Sequence, residues 1–310
     1  MNMDVSGFRQ VRVIPRRLSP LLGAVGLALS LLAASASAAA ADRPSSCSGS
    51  LESPGVLAGT YSSNVTVEGA CVVKGESAVI DGNLTVSPGA VLVAAFANSN
   101  LTVQGNLKVQ RGAVLILGCG TSPDFPCLDN EQGSSHGSVS GNLSEQQPLG
   151  VVVHATTIGG NVHDSGGGGG FTCSNKGPTI DGFYVFGGAA FGGFPVYSDY
   201  SGGSTVHGNL SVVGLSSCYL GVADMHVGGN VNLINNQLAD PDAAEILGNQ
   251  ISGNLLCQQN SQVWDSFEAV PAGPLFPRVP DPNTVSGHRV GQCVLASPET
   301  EGGPSGPGPF

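Results

Sequence analysis

Charge and aromatic rings are scarce in this chain of 310 residues. Charged residues make up 11% of it and aromatics 5%, with three lysines and a single Trp. Too few cations are present to neutralise a phosphate backbone or a bilayer of acidic lipids, so nucleic acid and anionic membrane are excluded as partners. Lacking rings, the core must be built from aliphatic side chains. No apolar run long enough to span a bilayer follows residue 41, and no amphipathic stretch reaches the length of an ordinary helix. Without helices between strands, a doubly wound α/β sheet is excluded.

Glycine is plentiful instead (47 residues), and much of it recurs in one phrase. An aliphatic residue, any residue, Gly, Asn and a second aliphatic appear seven times. The copies are centred on Gly82-Asn83, Gly105-Asn106, Gly141-Asn142, Gly160-Asn161, Gly208-Asn209, Gly229-Asn230 and Gly253-Asn254. Successive glycines lie 23, 36, 19, 48, 21 and 24 residues apart. A worn copy, Ile180-Asp181-Gly182-Phe183-Tyr184, divides the gap of 48, and an insertion containing Cys119 and Cys127 fills the gap of 36. Weaker copies stand at Tyr61 to Val65 and Val285 to His288. Asn83-Leu84-Thr85-Val86 aligns with Asn106-Leu107-Lys108-Val109, and Ala90-Val91-Leu92-Val93 with Ala113-Val114-Leu115-Ile116.

Repetition of short aliphatic strands at this period predicts a coil in which each strand pairs with its equivalent one turn away. The expected fold is all-β, a single-stranded parallel β-helix of about nine turns with a period of 19–26 residues. Gly-Asn suits a sharp corner, since Gly and Asn best tolerate positive φ. Stacked turns then bring the asparagines into a hydrogen-bonded column, which Phe183 is expected to interrupt. Ala239 to Leu247 is the one segment that reads as a short helix.

Residues 1–41 read as a signal peptide: Arg9, Arg12, Arg16 and Arg17, an apolar stretch from Leu21 to Leu32, then small residues to Ala41. Its removal takes four arginines and one aspartate, moving the net charge from −11 to −14. The expected location is outside the cell or in its envelope, by Sec-type export. Residues 42–293 then form the solenoid, with a Pro-rich capping arm over about 264–293, and 294–310 read as a disordered tail.

Eight cysteines in an exported chain imply disulfides, with connectivity left open by sequence. A coil brings together only residues on the same or adjacent turns. Cys47–Cys71, Cys119–Cys127, Cys173–Cys218 and Cys257–Cys293 satisfy that restriction, the first and last pinning the two ends. No C-x₂-C spacing supports thiolate metal binding, and no metal or cofactor is expected.

Polysaccharide lyases and hydrolases built on β-helices need clustered carboxylates with a basic residue. The strands here read as nearly devoid of charge, and Ser135-His136-Gly137 only echoes a Gly-His-Gly element. No catalytic residue is assigned. Asp181 and His207 are consecutive in the column before each Gly, which predicts a polar pair on adjacent turns, either an acid–base pair or a plain ion pair. His163 with Asp164, and Asp224 with His226, offer metal-ligand chemistry without convergent spacing. Thr66, Thr85 and Thr102 begin a threonine row of the kind ice binding requires, which Lys108, Ser144 and Asn232 break.

Seven of the 17 aromatic residues fall within 18 positions, Phe183, Tyr184, Phe186, Phe191, Phe194, Tyr197 and Tyr200. Rings on a Gly-rich frame can stack against sugar faces, so these are candidate binding residues for a cell-wall or extracellular polysaccharide. The same rings could instead cover the flank of the coil. Gly253-Asn254-Leu255-Leu256-Cys257, the Pro-rich arm and Gly291-Gln292-Cys293 resemble the ending of secreted bacterial right-handed parallel β-helix proteins. The Gly-Asn repeats are similar to those of bactofilins, and a more distant likeness connects the chain with pectate-lyase-type helices. This resemblance implies the fold and an exported, non-enzymatic structural or surface-interaction protein. A polysaccharide-binding or polysaccharide-degrading helix is the alternative.

Overall fold

A computed structural model describes residues 45–120, 126–186, 195–240, 243–265 and 283–294. The signal-peptide reading, most of the Pro-rich arm and the tail lie outside the described residues. Within them the chain coils as a parallel β-helix with three sheets, called A, B and C here. They contain ten, nine and nine strands among the described residues. Sheet A runs from Ser46–Cys47 to Arg289–Gly291, sheet B from Gly55–Val56 to Val263–Asp265, and sheet C from Gly59–Tyr61 to Thr284–Val285. Each turn contributes a strand to every sheet, and each strand pairs in parallel with its equivalents above and below. The expected register holds: Leu84 faces Leu107, and Leu92 faces Leu115.

Alternation along each short strand sends every second residue into the lumen. On sheet A the inward column reads Cys47, Val67, Val86, Val109, Glu145, Asp164, Val212, Leu233 and Cys257. All are buried, and apart from Glu145 and Asp164 they join Leu84, Leu107, Leu115, Val153 and Leu210 from the same coil in one continuous apolar core. Burial of this kind is worth about 25 cal/mol per Å² of apolar surface.

The corner asparagines form the expected column. From Asn64 through Asn254, each Asn backbone N–H donates to the preceding Asn Oδ1 at 2.7–2.9 Å. Side-chain Nδ2 adds a second bond at 3.1–3.3 Å up to Asn230. His288 N–H closes the column on Asn254 Oδ1. Two corrections follow. Asn161 bonds Asn209 directly, so Phe183 does not interrupt the column. The corner glycines also lack positive φ. They are required because a Cβ at Gly105 would sit 2.5 Å from Asn83 Oδ1 and 2.7 Å from Gly82 O, and Gly229 meets Asn209 in the same way.

The worn copy is not a corner of the coil. Ile158 pairs with Val206 across the gap, leaving residues 166–197 as an insertion. Within it Thr179–Ile180 and Phe183–Tyr184 form an antiparallel hairpin whose turn is Asp181-Gly182. The segment expected as a helix supplies the strand Ala244–Leu247 instead, because Ala244 and Ile246 face the core in register with Leu220 and Val222.

All four disulfides form as the coil restriction suggested: Cys47–Cys71, Cys119–Cys127, Cys173–Cys218 and Cys257–Cys293. The first crosses the lumen at one end and the last closes the other. Cys173–Cys218 ties the insertion to the coil, and Cys119–Cys127 closes the other inserted loop. No helix among the described residues is long and apolar enough to cross a membrane.

Candidate functional site

The aromatic segment lies on the outer face of sheet B, where Val72, Val93, Ile116 and Val152 point outward and need cover. Phe186 and Tyr197 are 1% and 5% exposed, packed edge to face with centroids 5.4 Å apart, and Tyr197 meets Tyr219 at 6.2 Å. Tyr200 turns into the lumen and is fully buried. These three rings therefore present no face to a glycan. Phe183 packs on Phe96, and both rings lie under the Lys74 ammonium. Tyr184 stays exposed at 42%. Phe191 and Phe194 lie outside the described residues.

Asp181 and His207 do not meet. The Asp181 carboxylate pairs with Lys74 Nζ at 2.7 Å, pinning the hairpin to an early turn. His207 instead occupies the corner column, between Gly159 and Gly228. His163 and Asp164 point to opposite sides of their strand, one exposed and one buried, so they cannot share an ion. Sulfurs of Cys173 and Cys218 approach Asp240, but both are consumed in their disulfide.

Two buried polar clusters were not expected from sequence. Glu145 and Asp164 stack on adjacent turns inside the lumen, in a column that is otherwise apolar. Tyr200 reaches across from sheet B, its hydroxyl 2.6 Å from Glu145 Oε2 and 3.1 Å from Asp164 Oδ2. One hydroxyl supplies one proton, so the second short contact needs a proton from a carboxyl group. Glu145 Oε1 and Asp164 Oδ1 have no hydrogen-bond partner among the described residues. Burial raises the Asp164 carboxyl to about 7, with a smaller opposing pull from the Tyr200 hydrogen bond. Burial and then repulsion from Asp164 push Glu145 well above the usual carboxylate range. The dyad thus holds a proton well above the pH at which exposed carboxyls lose theirs.

The second cluster sits on the outer side of sheet B. Asp199 Oδ2 accepts from the Ser201 hydroxyl at 2.8 Å and meets His154 Nε2 at 2.5 Å, all three residues buried. Both partners converge on one carboxylate, so the serine hydroxyl is not aimed at the imidazole as a nucleophile's would be. Both clusters are closed to solvent and hold the turns that flank the insertion.

The outer face of sheet C is open to solvent. Its outward row reads Thr60, Val79, Thr102, Ser138, Thr157, Thr205, His226, Gln250 and Thr284. Thr102 belongs to this row, not with Thr66 and Thr85, which stand on sheet A beside Lys108 and Ser144. None of the nine residues is charged, and none is buried. Toward the far end a depression of about 280 Å³ opens between Thr205, His207, His226, Gln250 and Ser252.

The fold and these surfaces define a disulfide-bonded parallel β-helix. No family model, curated protein or solved structure matches the chain.

Proposed function

We propose that this chain is an exported, non-enzymatic structural protein that uses the uncharged face of sheet C for surface interaction. The observation that carries the reading is the outward row from Thr60 to Thr284, neutral at all nine positions in a protein of net charge −11. Six of the nine bear hydroxyls, repeated at the spacing of adjacent strands, about 4.8 Å. Acidic residues on such a row would repel acidic envelope polymers, while hydroxyl and amide groups hydrogen-bond a neutral one. Four disulfides suit an oxidising compartment, which agrees with export through the N-terminal segment. Both ends of the coil are covalently tied.

Polysaccharide binding is the second reading, and the same row favours it over the buried rings of the insertion. Incubation with acidic and neutral polysaccharides, followed by product analysis and by co-sedimentation, separates the possibilities. Retention without depolymerisation is expected. Depolymerisation lost on changing a buried carboxylate would overturn the non-enzymatic reading.

A further inference from the structure

The depression on sheet C has a structural cause. His207 and Gly228 are opposed on neighbouring turns, and a side chain at Gly228 would run into the His207 carbonyl. Gly228 therefore puts no side chain between the outward row and the corner column, where the depression opens. Two imidazoles border it from adjacent turns. His226 stands in the outward row opposite Thr205, and His207 stands at the corner just after the strand Thr205–Val206. Gln250 and Ser252 close the other side with an amide and a hydroxyl. Both histidines are exposed, so neither is committed to the core.

We propose that His207 and His226 together bind one divalent transition-metal ion of the zinc, nickel or copper group. Neutral imidazoles are preferred ligands for these ions, with metal–nitrogen bonds of about 2 Å. Two rings that line one depression from adjacent turns can turn toward a single ion between them. Gln250 Oε1, Ser252 Oγ and water are available for the remaining positions. The acidic surface raises the local cation concentration. No proton or electron is transferred; the ion is held in the depression that the two imidazoles line.

Calorimetric titration of the mature protein with ZnCl₂ and NiCl₂ tests the site. Saturable binding of one ion is expected, weakened about tenfold or more by either H207A or H226A. The variant H163A, on sheet A, should bind as the wild type does. Because both side chains are exposed, circular dichroism of the variants should be unchanged, so a loss of binding is a loss of ligand. Absence of saturable binding by the wild type would overturn the proposal. So would full affinity in either H207A or H226A, or a loss confined to H163A.

Discussion

The lumenal carboxyl pair contributes stability that is lost as pH rises toward neutrality. In the folded coil the Asp164 carboxyl is raised from 3.8 to about 7, mainly by burial. A carboxyl whose folded pKa lies above its unfolded value favours the folded state when protonated. That stabilisation is complete below about pH 4, declines as pH rises through the window up to about 7, and is gone above it. A shift of about 3 pH units corresponds to ~4 kcal/mol for this site. Glu145 is raised by the same burial and by repulsion from Asp164, so its contribution has the same sign. Asp164→Asn keeps an acceptor for the Tyr200 hydroxyl and removes the titration. Urea unfolding of wild type and D164N between pH 4 and pH 8, with disulfides intact, gives the difference directly. The variant should gain on the wild type as pH rises, by several kcal/mol in all. A difference that stays constant across that range would refute the buried-proton reasoning.

Three further outcomes follow from the geometry. Gly105→Ala should cost about 2–3 kcal/mol, because the added methyl meets Asn83 Oδ1 at 2.5 Å and Gly82 O at 2.7 Å; thermal unfolding reads this, and a neutral substitution would return the corner to a purely conformational explanation. Replacing Cys173 and Cys218 together by Ser opens a 45-residue loop and should lower stability by roughly 4 kcal/mol, with protease sensitivity appearing first in the insertion. Tyr197→Ala should cost about 3–5 kcal/mol as a core truncation while leaving polysaccharide retention by the folded fraction unchanged; a stable variant that no longer binds would restore the ring to a ligand site.

Most of the fold was legible because the Gly-Asn phrase repeats at seven successive corners of the coil. Its corners could be counted, and counting confined each cysteine to neighbouring turns. Reading failed where local chemistry imitates the repeat. Ile180-Asp181-Gly182 looks like a corner because a hairpin turn wants the same residues, and only the pairing of Ile158 with Val206 shows that the coil bypasses it. The lumenal carboxyls were within reach of the same count. The third residue after each corner Asn faces inward, as Val86, Val109, Val212 and Leu233 do, and Glu145 and Asp164 hold that place. Tyr200 could not be placed the same way, since the insertion before it destroys the spacing. Clustered rings in the insertion left two readings open for a physical reason: an apolar outer sheet needs cover as much as a sugar needs stacking.

The neutral face of sheet C is where the functional reading stands or falls. Thr102→Glu with Thr157→Glu places two carboxylates on its outward row, and Thr85→Glu places one on sheet A as a control. All three positions lie on the surface side of their strands, so the coil should fold in each variant. Co-sedimentation with purified cell-wall polysaccharide is the measurement. Strong retention of wild type and T85E, with loss in the doubly substituted protein, is the predicted result. Equal retention of all three, or loss confined to T85E, would contradict it.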